Sequence, residues 1–295
     1  MSRTTANIAL LLAAVIWGGA FVVQKFGTLH IGTMTFTGTR FLLGSAVVLP
    51  LALKQMRRVR FSPMIWLGLF ATGISLFGGA VLQQIGIQHT SATNAGFLTT
   101  LYVPLVPVAE LMLLRRRPHP AIWPAAIGTV LGTWLLAGGG HLDFGTGDLW
   151  VLSSVLFWTA QVMLVGAMVG RTGAPVFVAF VQFLICGMGS LTWGLLSEPV
   201  SLHGLAEAGY AIAYTGILSV GGAYTIQAVG QRYTRTADAA VILSSEALFA
   251  SLAGIIFLGE RLNSIQALGC AVMFACILAI QLLPLWQRKP AGSAA

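Results

Sequence analysis

Glu246 stands in Leu-Ser-Ser-Glu-Ala, in the middle of a long apolar run. A carboxyl group there needs a partner, a proton or a wet cavity. Two readings are open. Either Glu246 faces a cavity, where it binds the amino or cationic end of a solute or titrates, or it ties neighbouring helices together. Arg40 lies in the outer third of another apolar run. A structural tie to helix carbonyls or outer headgroups is favoured there over contact with a solute. Glu110 is one turn from the end of its run, where it can reach water or the cluster Arg115, Arg116 and Arg117.

Aromatic and amide side chains form a second constellation. Trp17, Tyr102 and Trp158 fall near the middle of their runs, away from the interfacial belts these residues usually occupy. Each offers a flat apolar face and one hydrogen-bonding atom, which suits a solute with apolar and polar parts; for any single one, core packing is the competing explanation. Gln24, Gln83, Gln84 and Asn94 lie toward one side of the membrane, and Gln161 and Gln227 toward the other. Such amides either bridge helices or wet a pathway. Ser244 and Ser245 are the nearest hydroxyls to Glu246. The predicted cavity set is therefore Trp17, Gln83, Tyr102, Trp158, Gln161, Gln227, Ser244 and Glu246. No phosphate loop, metal cluster or Ser/His/Asp set at usable spacing appears, so no catalytic residue, metal or cofactor is expected, and the chain is not read as an enzyme. Cys186, Cys270 and Cys276 fall inside apolar runs and are assigned no role.

The elements that must position these groups are membrane helices. Hydrophobic residues make up 57% of the chain and charged residues 8%, against about 25% charged in a soluble domain. So few charges cannot cover a soluble fold, and lipid must be the solvent for most of the surface. Ten apolar runs are long enough to span a bilayer: 7–24, 33–53, 63–86, 91–114, 121–137, 149–170, 175–196, 208–230, 238–258 and 264–286. Without water the backbone must satisfy itself, so the runs are helices. The first run is full length and no clear small-residue cleavage site follows it, so a cleaved signal peptide is not expected. The net charge of +8 sits in clusters between the runs, which argues against a nucleic-acid partner. With a cytoplasmic N-terminus, all 16 basic residues except Lys25, Arg40 and Arg261 fall on the cytoplasmic side, while Asp143, Asp148, Glu198 and Glu260 collect outside. Ten spans return the C-terminus to the cytoplasm.

The chain also repeats itself. Thr-Ser-Ala-Thr-Asn-Ala-Gly-Phe-Leu at 90–98 resembles Thr-Arg-Thr-Ala-Asp-Ala-Ala-Val-Ile at 234–242, an offset of 144 that also pairs Gln83 with Gln227, Gly86 with Gly230 and Asn94 with Asp238. An offset of 141 pairs Trp17 with Trp158. Each half, 1–144 and 145–295, then has five helices, and an odd number inverts the second half in the membrane. The fold expected is all-α, ten transmembrane helices as two inverted five-helix repeats, an arrangement common in secondary transporters. Pro104 and Pro107 should kink the fourth helix. Gly18 with Gly19, Gly78 with Gly79, and Gly221 with Gly222 mark close approach or bending. Gly128 and Gly132 in the fifth helix, and Ala267, Ala271, Ala275 and Ala279 in the tenth, read as packing faces of a scaffold or a subunit contact.

These residues carry a resemblance. Trp17-Gly18, Arg40-Phe41, Ser245-Glu246-Ala247 before Phe249, and Phe257-Leu258-Gly259-Glu260-Arg261 are similar to the EamA branch of the drug/metabolite transporter superfamily, over nearly the whole chain. Where that branch commonly has Pro after the mid-helix Glu, this chain has Ala247, and the Gly-Glu motif has Arg115-Arg116 in its place in the first half. Within the branch the chain is similar to YddG-type amino acid exporters. The resemblance implies a central cavity lined by helices 1, 3, 4, 6, 8 and 9, with helices 2, 5, 7 and 10 outside them. It implies a secondary transporter that exports small metabolites, amino acids and aromatic ones among them, across the inner membrane by alternating access. The alternatives are a broad exporter of drugs or amphipathic metabolites with the same cavity, and a membrane-embedded enzyme or receptor, which the missing catalytic set and the repeat disfavour. The expected partners are a small-molecule substrate and the lipid bilayer, with the protein a monomer or homodimer.

Overall fold

The computed structural model describes residues 1–90, 92–113, 115, 117–136, 138–140, 145–258 and 263–286, without the side chains of 92–94, 254–258 and 280–286. Arg116, Asp143, Gly259, Glu260, Arg261, Arg288 and Lys289 thus lie outside the described residues, as do the side chains of Asn94, Phe257 and Leu258.

Every element among the described residues is a helix. In chain order they are α1 (Arg3–Gly27), α2 (Thr33–Met56), α3 (Pro63–His89), α4 (Ala92–Thr100), α5 (Tyr102–Leu113), α6 (Ile122–Leu136), α7 (Thr146–Thr172), α8 (Pro175–Ser197), the short α9 (Leu202–Glu207), α10 (Gly209–Ala213), a π-helical stretch (Tyr214–Tyr224), α11 (Thr225–Gln231), α12 (Thr236–Leu243), α13 (Glu246–Leu258) and α14 (Ser264–Trp286). Among the described residues eight helical runs are long and apolar enough to cross a membrane: α1, α2, α3, Ala95–Leu113, α7, α8, Gly209–Gln231 and Thr236–Ala253. The fifth and tenth expected runs fall on the shorter apolar helices Ile122–Leu136 and Ser264–Ala279.

Polarity is distributed as a lipid solvent demands. Large apolar side chains such as Leu12, Leu67, Phe70, Leu156 and Leu195 are exposed, whereas Gln83, Gln84, Gln161, Gln182, Gln227, Arg40 and Glu246 are buried. In lipid an outward amide would lose its hydrogen bonds, so polar groups turn to one another or to an internal cavity.

The main pairings are α2 along α8, α3 along α7, and α6 along α14. The π-helical stretch and α11 pack on α1 as α3 packs on α7. Glycines set the closest crossings. A Cβ on Gly18 of α1 would come within 2.6 Å of the Phe249 Cβ of α13, and one on Gly132 within 3.0 Å of the Gly269 carbonyl oxygen of α14. For the alanine face of the tenth helix this removes the scaffold alternative and leaves the subunit contact. Ala267, Ala271, Ala275 and Ala279 are exposed, and Gly269 and Met273 meet α6 instead, because glycine permits nearer approach than alanine.

Two expected helices are each broken in two. The fourth run stops at Thr100 and restarts at Tyr102. Pro104 has no N–H to give the Thr100 carbonyl, and the Leu101 N–H instead closes a tighter turn on the Leu98 oxygen, 3.1 Å away. The ninth run stops at Leu243 and restarts at Glu246 without any proline. Here the hydroxyls of Ser244 and Ser245 donate to the oxygens of Val241 and Ile242 at 2.7 and 2.6 Å, competing with the helical ladder. The breaks stand 144 residues apart, Leu101 against Ser245 and Tyr102 against Glu246, the same offset that pairs Gln83 with Gln227.

Candidate functional site

Both breaks open onto one chamber at the centre of the bundle. It measures about 560 Å³ between protein atoms, its mouth included. Seven of the eight predicted residues line it: Trp17 from α1, Gln83 from α3, Tyr102 from α5, Trp158 and Gln161 from α7, Gln227 from α11 and Glu246 from α13. The eighth, Ser244, is a correction. It is fully buried and its hydroxyl is spent on the Val241 carbonyl, so it shapes the break and does not face the space.

Glu246 is the first residue of α13, where unpaired backbone N–H groups and the helix dipole favour a negative group. Its carboxyl has no hydrogen-bond or ion-pair partner among the described residues, so the expected helix tie is not made by it. Tyr102 occupies the corresponding first position of α5, and its hydroxyl donates across to the Ala240 oxygen of α12 at 3.3 Å.

The amides both bridge and line. Gln83 Nε2 donates to Thr99 Oγ1 at 2.8 Å. Gln161 and Gln227 exchange hydrogen bonds of 3.4 and 3.2 Å, and Gln161 also donates to Gln182 Oε1 at 3.0 Å. Trp17 and Trp158 flank Tyr224, with ring centroids 4.5 and 6.3 Å from it. Neither indole N–H has an acceptor among the described residues. Gly79 lets Trp158 lie flat against α3, since a Cβ there would be 3.0 Å from the indole ring.

Of the lining residues outside the predicted set, which include Phe21, Thr99 and Ser219, two matter most. Tyr224 ends the π-helical stretch and is the hub of the aromatic cluster, touching Trp17, Trp158, Phe41 and Phe183. The signal available was its place one turn before Gln227, just after Gly221 and Gly222. Arg40 was assigned to helix carbonyls or headgroups, but it is 5% exposed and lines the chamber. Its guanidinium sits over the Phe36 and Phe41 rings at 5.4 and 5.1 Å and donates through Nη1 to Gln24 Oε1. Its Nε has no partner, and no carboxylate among the described residues forms an ion pair with it. The chamber thus draws on α2, a helix expected to be scaffold. No group of His, Cys, Asp and Glu among the described residues could hold a metal ion.

The model of the EamA-like transporter family matches residues 4–138 and, a second time, 145–282. The chain belongs to that family. EamA proteins form a branch of the drug/metabolite transporter superfamily, so this is a multi-pass membrane protein that transports small molecules. An uncharacterized transporter of Archaeoglobus fulgidus is 27% identical over 288 residues, 96% of this chain and 87% of the relative. The threonine/homoserine exporter RhtA of Escherichia coli K12 is 28% identical over 281 residues, 91% of this chain and 88% of the exporter. A protein crystal structure 19% identical in sequence superposes with a TM-score of 0.81, covering 98% of this chain and all of the other, and shares the fold. This EamA chain thus puts an unneutralised buried cation, a carboxyl group at a helix start and an aromatic cluster around one space.

Proposed function

We propose that the chain exports small zwitterionic amino acids across an inner membrane by alternating access. The observation that carries this reading is the lining of the central chamber, where Arg40 lacks an anion, Glu246 lacks a cation and two indole N–H groups lack an acceptor. An amino acid supplies what is missing. Its ammonium group pairs with Glu246 at the start of α13, and its carboxylate takes Arg40 and the indole donors. A buried charge without a counter-ion is costly, so a solute bearing both charges is favoured over a neutral or singly charged one. The export of threonine and homoserine by a relative supports the same class. The aromatic walls suit the solute's carbon skeleton, and aromatic amino acids stand as a competing choice within that class.

Ten spans arranged as two inverted five-helix repeats, 1–144 and 145–295, with both termini cytoplasmic, complete the reading. The double family match and the breaks 144 residues apart support it. No cofactor or nucleic acid takes part, and the working unit is a monomer or homodimer. Counterflow in proteoliposomes loaded with threonine tests the substrate: labelled threonine, homoserine and phenylalanine are expected to accumulate, and a cationic dye is not. Dye accumulation without any amino acid counterflow overturns the reading. Single-cysteine labelling tests the topology, with positions Arg57 and Arg116 reached from inside and Gly145 and Ser201 from outside.

A further inference from the structure

Two helix crossings, one toward each end of the chamber, are built in the same way. At one end, a Cβ on Gly230 would lie 2.8 Å from the Leu10 side chain and 3.5 Å from the Ala6 oxygen of α1. Just beyond, Thr234 Oγ1 donates to Asn7 Oδ1 at 3.0 Å. At the other end, a Cβ on Gly86 would lie 2.5 Å from the Val151 side chain and 2.8 Å from the Gly147 oxygen of α7. Just beyond, Thr90 Oγ1 donates to Asp148 Oδ1 at 2.5 Å. The offsets of 144 and 141 carry Gly86 to Gly230, Thr90 to Thr234, Asn7 to Asp148, Ala6 to Gly147 and Leu10 to Val151.

The placement along the helices is equally regular. Asn7 and Asp148 each stand ten residues before the chamber tryptophan of their own helix, Trp17 and Trp158, or about 15 Å along it. At each crossing the glycine makes room for an aliphatic side chain of the facing helix, Leu10 or Val151, and a hydrogen bond just beyond then pins the crossing. A contact made by a single threonine hydroxyl is strong enough to bias one end and weak enough to release it, and the bond to the Asp148 carboxylate is the stronger of the two.

We propose that Asn7 with Thr234, and Asp148 with Thr90, are the two latches that open alternately on either side of the chamber. The ends differ in charge: the first latch accepts on the amide of Asn7 and the second on the carboxylate of Asp148. Asp238, buried beside the first latch, forms an ion pair with Arg3 of α1, whereas the equivalent residue beside the second is the uncharged Asn94. Arg3 is partly exposed, so salt reaches this pair. The first end therefore loosens as ionic strength rises.

The test uses the full chain with Cys186, Cys270 and Cys276 replaced by alanine and Ala20→Cys in the chamber wall as reporter, in vesicles of one orientation. A membrane-impermeant maleimide is applied from each side. Thr234→Val, which keeps the shape and removes the hydroxyl, is expected to raise labelling from the Arg3 end about two- to tenfold and lower it from the Asp148 end. Thr90→Val is expected to do the opposite. Raising salt on the otherwise unaltered reporter protein should increase labelling from the Arg3 end, and Arg3→Gln should reduce that increase, leaving Arg235 and His119 as the remaining cationic neighbours of Asp238. Equal shifts from both ends in both variants, no shift in either, or a salt response unaffected by Arg3→Gln would each overturn the proposal. No solute is present, so the outcome is independent of which substrate the chamber takes.

Discussion

The break between α4 and α5 and the break between α12 and α13 stand 144 residues apart, yet they are made by different chemistry and present different groups. The first depends on a proline three residues downstream that withholds a backbone donor, and it presents the Tyr102 hydroxyl. The second depends on two serine hydroxyls that draw backbone acceptors away from the ladder, and it presents the Glu246 carboxyl. What the halves share is thus a position where a helix restarts toward the chamber. The group at that restart is free to differ, and in this chain one half contributes a hydroxyl already engaged by Ala240 while the other contributes a carboxyl left open. Of the two restarts, the second carries the open polar group, while Arg40 of α2 is the unneutralised cation that the first half brings to the same chamber.

That asymmetry sets the order of expected effects. Glu246→Gln keeps the shape and removes the charge, so affinity for an amino acid should fall by about 1–2 kcal/mol, roughly 5- to 30-fold, because a charge-assisted hydrogen bond becomes a neutral one. Direct binding by calorimetry on the purified protein reads this, and a melting temperature near that of the parent shows the carboxyl is not a helix tie. Ser244→Ala combined with Ser245→Ala should let α12 and α13 join into a longer continuous helix. Slower amide exchange at residues 244–247 and transport reduced about threefold or more are expected, with stability unchanged or raised; exchange at the parent rate would show that the serines do not make the break. Tyr102→Phe removes only the bond to Ala240, and the expected cost is about 0.5–1.5 kcal/mol of stability with affinity nearly unchanged. An affinity loss matching that of Glu246→Gln would mean that both restarts contact the solute, and the contrast between the halves would fail.

The membrane class, the polar interior and most of the chamber were legible in the sequence because a carboxyl, an amide or a mid-span indole stands out against apolar neighbours. Glu246, Trp17 and Trp158 were found that way. Arg40 was visible, but its depth in the run does not tell which way α2 turns it, and the cradle of Phe36, Phe41 and Gln24 that holds it inward is tertiary. Ser244 erred in the opposite direction: adjacency to Glu246 suggested a shared cavity, but the hydroxyl is consumed by its own helix. The serine break leaves no sequence mark, because serines are tolerated in continuous membrane helices and only the observed back-bonding reveals the interruption. The proline break was expected as a kink near Pro104, and it lies one turn earlier, where the missing donor is felt.

The most direct test pairs the protein's charge with the solute's. Binding of threonine and of its analogue lacking the amino group is measured on the parent protein and on Glu246→Gln. The account predicts that losing the amino group weakens binding about tenfold in the parent, and by little in Glu246→Gln, where no carboxylate remains to sense it. An equal loss in both proteins would show that Glu246 does not hold the ammonium group, and the zwitterion chamber would be contradicted.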